Sequence, residues 1–211
     1  MLYNMKKDLL NKIARKGYDI AYGANLNFAT YDIVKKFPCI IAFLSIVSGI
    51  LGLKISIFAH EYVSVIMLTL GIACIYVERF TVDIDSYAKR GVINTDQLNQ
   101  LKNLYYNVKG MDDGANFSEI EMKFSEIEQE FNKESNPNQI LFSNWFAHFK
   151  LFCEKDITWM DEQLHFKLWK DKLPQTMKAA MLVFVFIIIV YYCVKVPFLN
   201  DFFCRILFIG E

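Results

Sequence analysis

Three uninterrupted apolar stretches, at 38–53, 59–77 and 179–194, constrain this chain more than any other feature. None contains Lys, Arg or Asp, and the only Glu or His within them, His60 and Glu61, lie at the edge of the second. Charged residues make up 22% of the 211-residue chain, so their exclusion from these stretches is segregation rather than scarcity. A helix needs about 20 apolar residues to cross a hydrocarbon core of about 30 Å, which makes each stretch a candidate membrane helix whose length has to be tested.

The first stretch, PCIIAFLSIVSGILGL, is short for a span. Phe37 before it and Ile55 beyond Lys54 lengthen it, because the Lys54 ammonium can reach water along its own alkyl stem. The second, IFAHEYVSVIMLTLGIACIYV at 57–77, is entered beside His60 and Glu61 and closed by Glu78 and Arg79. The few residues between the two leave no room for a folded unit, and unpaired backbone is not tolerated in hydrocarbon, so an antiparallel helical hairpin is expected. Ser45 with Gly49, and Ser48 with Gly52, place small residues four apart in the first span, the spacing that lets helix backbones approach in lipid. They predict close packing, either on the second span or on another copy of the chain. The third stretch, AAMLVFVFIIIVYYCV, lies between Lys178 and Lys195, ends on the Tyr191–Tyr192 pair suited to an interface, and lacks Gly, Ser and Thr. It reads as a lipid-facing anchor. Beyond Pro197, residues 198–209 are too few to cross unaided, and Asp201 and Arg205 stand four apart. An interfacial or re-entrant tail is expected there rather than a fourth span.

Basic residues set the orientation. Lys6, Lys7, Lys12, Arg15, Lys16, Lys35 and Lys36 precede the hairpin and Lys167, Lys170, Lys172 and Lys178 precede the third span, whereas the hairpin turn offers Lys54 alone. The positive-inside bias places the N-terminus and the central domain in the cytoplasm. The polar lead-in of 1–37 predicts no cleavable signal peptide. The fold class that follows is all-α: a multi-pass membrane protein with a cytoplasmic juxtamembrane helix at 1–36, a transmembrane hairpin at 37–78, a cytoplasmic helical domain at 79–177, a third transmembrane helix at 178–195, and the tail at 196–211.

Helical periodicity runs through the polar parts. Leu9, Leu10, Ile13 and Ala14, then Ile20, Ala21, Ala24 and Phe28, form one apolar face before the hairpin, with Gly17 and Gly23 expected to interrupt it. After the second span, Asn94-Thr95-Asp96-Gln97 has the form of a helix start, followed by Leu98, Leu101, Tyr105 and Val108. Ser118-x-x-Glu121 opens a further helix whose Phe117, Ile120, Phe124, Ile127 and Phe131 recur at coiled-coil-like spacing, a stripe that packs on its own domain or serves as an interaction surface. An aromatic-rich helix is expected at about 139–172, carrying Trp145, Phe146, Phe149, Phe152, Trp159, Phe166 and Trp169 and leading directly into the third span.

Catalytic and metal-binding signals are weak. The three histidines are scattered, and Asp161 with His165 supplies only two ligands where zinc needs three or four. Five cysteines sit singly, with no C-x-x-C pair. There is no phosphate loop, nucleophile elbow or H-E-x-x-H motif. We therefore expect no enzyme activity, cofactor or metal. The spans carry no ionisable residue at their centres, which argues against ion or proton transport. With 23 basic residues balancing 23 acidic ones, no direct nucleic-acid binding is expected; the expected partners are the lipid bilayer and further copies of the chain.

Tyr22-Gly-Ala-Asn-Leu-Asn-Phe-Ala-Thr-Tyr31, then Lys35-Lys36, two close spans and a helical domain, resembles the SLATT-type two-helix transmembrane effectors of bacterial anti-phage defence. Cys153-Glu-Lys-Asp-Ile-Thr-Trp159-Met-Asp161, followed by Trp169 and Leu173-Pro174, is similar to four-span effectors associated with cyclic-oligonucleotide synthases. Retron systems also use small membrane proteins of this size. The resemblance implies a toxin, held silent until a phage-triggered signal, that disrupts the inner membrane in abortive infection. It also implies a sensor partner, either a reverse transcriptase–retron DNA complex or a nucleotide synthase. Two other functions fit the same architecture: a non-toxic anchor or scaffold recruiting a partner enzyme, and a holin-like lysis protein.

Overall fold

The computed structural model describes residues 2–133, 138–167 and 169–195; the tail expected at 196–211 lies outside them. Every regular element among the described residues is helical: α1 (Leu2–Gly52), α2 (Glu61–Glu78), a 3₁₀ turn (Thr81–Asp83), α3 (Ile84–Gly110), α4 (Ser118–Lys133), α5 (Ser143–Phe149), a π-helical continuation (Lys150–Glu154), α6 (Thr158–Leu164) and α7 (Gln175–Lys195). The chain divides into two units, Met1–Lys167 and Leu168–Glu211.

In the first unit, α1 is a single helix of 51 residues, about 77 Å long at 1.5 Å per residue. Its first two-thirds form the spine of an extramembrane domain. Leu9, Leu10, Ile13, Ala14, Ile20 and Ala21 are buried against Leu101, Leu104, Tyr105 and Val108 of α3 and against Trp159 and Met160 of α6. The glycines expected to interrupt this helix do not, because each is a socket for a ring. A Cβ on Gly17 would collide with the benzo ring of Trp159, and one on Gly23 would lie 3.3 Å from Phe131. Gly91 of α3 receives Phe28 of α1 in the same way.

The helix start expected at Asn94 is also corrected. Helix α3 begins at Ile84, ten residues earlier, and Asn94 and Gln97 lie buried inside it. Asn94 faces α1, its Nδ2 3.2 Å from where a Cβ on Gly23 would stand, and neither residue, inside a continuous helix, can cap one. The start expected at Ser118 coincides with α4, and its exposed amide is received by Asn116, whose Oδ1 accepts from Ser118 N at 3.0 Å and Ser118 Oγ at 2.6 Å.

The continuous aromatic helix expected at 139–172 breaks into α5, the π-helical segment and α6. Asp156 makes the first break, accepting from Thr158 N at 3.2 Å and Thr158 Oγ1 at 2.8 Å, which starts α6 afresh. His165 makes the second, in the left-handed region at φ 49. Asp161 seals that end, its carbonyl accepting from His165 N at 2.9 Å and its Oδ1 from Phe166 N at 2.7 Å. Among the described residues the expected helical continuation into the third span is absent, whereas α1 runs unbroken from the domain into the hairpin.

In the second unit, α7 starts immediately after Pro174, whose carbonyl accepts from Met177 N and Lys178 N, each at 3.1 Å. Its residues 181–192 are all exposed.

Candidate functional site: the membrane hairpin and its root

Among the described residues three helices are long and apolar enough to cross a membrane: the C-terminal part of α1, then α2, then α7. Their outward faces carry Ile40, Phe43, Ile46 and Ile50 on α1 and Val65, Leu68, Ile72 and Ile75 on α2, all at least half exposed. An apolar surface that large is not stable against water and matches lipid.

Helices α1 and α2 pack antiparallel across a short turn in which Ile55 N donates to Leu51 O at 2.8 Å and Phe58 N to Ile55 O at 3.0 Å. Ile41 and Ser48, seven residues apart and so on one face of α1, are buried at 7% and 9% exposure. Ser45 Oγ donates to Ile41 O at 2.8 Å and lies 3.6 Å from Met67 Sδ across the hairpin. A Cβ on Gly52 would make ordinary contact, at 3.5 Å, with the Phe58 carbonyl of the turn. Gly49 differs: nothing lies within 4 Å of a Cβ placed there, nor at Gly71 of α2. Three of the four small residues thus belong to the hairpin itself, and Gly49 opens outward.

The stripe on α4 is accounted for within its own domain. Phe117 and Ile127 are buried at 5%, and Ile120, Phe124 and Phe131 pack half-buried against the same core. Ion pairs fasten this helix and its loop to α1, Lys16 to Glu128 at 2.8 Å and Lys6 to Asp113 at 3.2 Å.

The root of the hairpin is built by residues that sequence periodicity did not single out. Residues 138–142 run across α1, α2 and α3 at the domain end of the hairpin, and each of the three helices contributes a contact. Tyr87 donates to Asn138 O at 2.6 Å, Thr30 to Gln139 Oε1 at 2.6 Å, and Leu141 N to Tyr76 Oη at 3.3 Å. Ile140 is buried with Val34 and Val77, flanked by Ile33, Phe37, Tyr76 and Phe80. Phe142 closes the crossing at φ 67, a left-handed conformation rare for a bulky residue. Pro38 sits in α1 at this level and removes the N–H that the Val34 carbonyl would otherwise accept.

Beside the root, Asp32 binds two lysines, Lys36 Nζ at 2.7 Å and Lys150 Nζ at 2.9 Å. Partial burial pushes its carboxyl up, but the hydrogen bonds and charges of these lysines outweigh that and hold it below the usual carboxylate range. Lys35 donates to Tyr31 Oη at 2.7 Å. On the domain's far side, Lys109 and the Tyr105 hydroxyl hold Glu162 at 2.8 and 3.0 Å, linking α3 to α6.

Among the described residues no group of three or more His, Cys, Asp or Glu is placed to hold a metal. The pair Asp161 and His165 is engaged in ending α6, as described above. What the arrangement offers is mechanical: a bundle of helices locked by ring-into-glycine contacts onto a helix that continues into lipid.

These features define an all-α membrane protein in which a helical domain is rooted on a two-helix hairpin. The family model for the SMODS and SLOG-associating 2TM effector domain 6 matches residues 4–181, and the chain belongs to that family. It is accordingly a membrane-associated effector of defence systems. The matched region ends shortly after α7 begins, so the two transmembrane helices of the family description correspond to α1 and α2. No curated protein and no solved structure matches the chain significantly.

Proposed function

We propose that this chain is a membrane-disrupting toxin of a bacterial abortive-infection system, embedded in the inner membrane with its N-terminus and residues 79–177 in the cytoplasm. The observation that carries this reading is the continuity of α1, whose one end is buried in the domain core and whose other end lines the hairpin. A sensor that loosens or turns the domain necessarily moves the first span. The basic residues on the domain side of the hairpin, against Lys54 alone in the turn, support the orientation.

The sensor is either a reverse transcriptase–retron DNA complex or a nucleotide synthase, and overproduction of the effector bypasses its control. Released hairpins associate through the open face at Gly49, where another helix can approach closely, and the assembled spans leak ions. The test is induced expression without the partner, followed with a potential-sensitive dye. Wild type collapses the membrane potential, and Gly49→Leu, inserted to the same level, leaves it standing. Full potential and normal growth with inserted wild type would remove the toxin reading and leave an anchor.

A further inference from the structure

Helix α5 has two apolar faces, and the fold uses only one. Ser143, Ala147 and Leu151, at four-residue spacing, point inward and are buried. Phe142, Phe146 and Phe149 point outward with Leu141 at 59%, 38%, 54% and 63% exposure. Phe142 packs edge-on to Trp145, with ring centroids 4.9 Å apart. Burying small residues and exposing aromatic ones is the reverse of what a helix in water does. It suits a helix lying where water gives way to lipid, the preferred place of large aromatic rings.

Between this face and α1 runs a groove of about 510 Å³, lined by Ile33, Phe37 and Ile40 on one wall and by Phe142, Trp145 and Phe149 on the other. A second cavity of about 320 Å³ continues it past Phe37 to Ala73 and Val77 of α2. The walls are almost wholly apolar, and through Ile40 and Ala73 they run onto the faces of the membrane spans. The opposite rim is basic: Lys36 and Lys150 share the single charge of Asp32. An apolar cleft continuous with the bilayer and rimmed by excess positive charge complements one kind of molecule, an acyl chain ending in a phosphate.

We propose that the groove between α1 and α5 seats a phospholipid of the leaflet on the domain side, its acyl chain between Phe37 and Trp145 and its phosphate at Lys36 and Lys150, with Phe142, Phe146 and Phe149 in the headgroup layer. The lipid then fixes how the domain sits on the membrane. This proposal needs the hairpin to be inserted, and does not need it to be toxic.

The test uses the full chain in nanodiscs of phosphatidylglycerol, with or without bromine high on the acyl chains, and reads quenching of tryptophan fluorescence. Comparison with Trp145→Phe isolates the Trp145 contribution, because the other two tryptophans are the same in both proteins. A clear excess of quenching in wild type over Trp145→Phe is expected, reduced in Phe149→Ser, whose exposed ring can be lost without disturbing the core. Equal quenching in wild type and Trp145→Phe would overturn the proposal. So would a groove closed by a second copy, seen as wild-type quenching unaffected by Phe149→Ser together with disulfide-linked dimers of Phe149→Cys.

Discussion

The packing of Trp159 on Gly17 makes an unusual demand: alanine, ordinarily the better helix former, should be the worse residue there. In an undisturbed helix interior Gly→Ala gains roughly 1 kcal/mol. At Gly17 the added methyl runs into the benzo ring, with Cζ2 at 3.1 Å and Cζ3 at 3.2 Å and Cη2 closer still. Trp159 is only 2% exposed and its ring is backed by Tyr105 at 5.2 Å, so it cannot swing out to water. Overpacking of this kind costs roughly 1–3 kcal/mol, leaving Gly17→Ala destabilised by about 0–2 kcal/mol. At about 2–4 °C per kcal/mol for a chain of this size, the melting temperature falls by up to about 8 °C. The contacting carbons all belong to the part of the indole that leucine lacks. In a Trp159→Leu background the collision disappears, and Gly17→Ala should then raise the melting temperature by the propensity gain. Thermal unfolding of the four proteins by circular dichroism, in one detergent, measures this cycle. An equal rise on Gly17→Ala in both backgrounds would refute the socket and with it the docking of α6 on α1.

Other consequences are separable. Gln97 is 2% exposed and neither its Nε2 nor its Oε1 has a partner, so Gln97→Leu should leave stability unchanged or improve it by about 1 kcal/mol; a loss of similar size in the same melting assay would mean that the amide is satisfied in solution. The Asp156 carboxyl is held at about 2, against an ordinary 3.8, by the Thr158 hydroxyl and amide and by Lys102. A depressed acid stabilises the fold above its unfolded value and loses that contribution as pH falls through its folded one. The melting-temperature deficit of Asp156→Asn should therefore be constant from neutrality down to about pH 5, shrink as the pH falls further and vanish only below about pH 2; a deficit that does not shrink in acid contradicts the assignment. In the hairpin, Ser48→Leu should disturb folding because Ser48 is buried, whereas Gly49→Leu should not because its surroundings are open. Size-exclusion profiles of the two variants decide this, and monodisperse Ser48→Leu beside aggregated Gly49→Leu would reverse the faces.

The membrane hairpin was legible because exclusion of charge from a stretch has one physical meaning in a chain this charged. The apolar faces of α1 and α4 were legible for a different reason, helical periodicity. What periodicity could not supply was how faces meet. Gly17 and Gly23 look like helix breakers in one dimension and become close-packing sites only when Trp159 and Phe131 arrive from distant parts of the chain. Asn94-x-x-Gln97 carries the right residue types for a helix start, but α3 begins ten residues earlier and buries both in its interior. The break at 155–157 depends on Asp156 capturing Thr158, a local competition that the run of aromatics around it concealed. The outward ridge of Phe142, Trp145, Phe146 and Phe149 does have helical spacing; its meaning came from Ser143 and Ala147 taking the inward face.

The claim on which the functional account rests is that the hairpin itself permeabilises a bilayer. Purified full-length protein reconstituted into phosphatidylglycerol-containing liposomes with a potassium gradient tests it, read by a potential-sensitive dye. Wild type should dissipate the gradient, and Gly49→Leu, inserted at the same density, should not. A gradient that survives wild type, or collapses equally with Gly49→Leu, would contradict that claim.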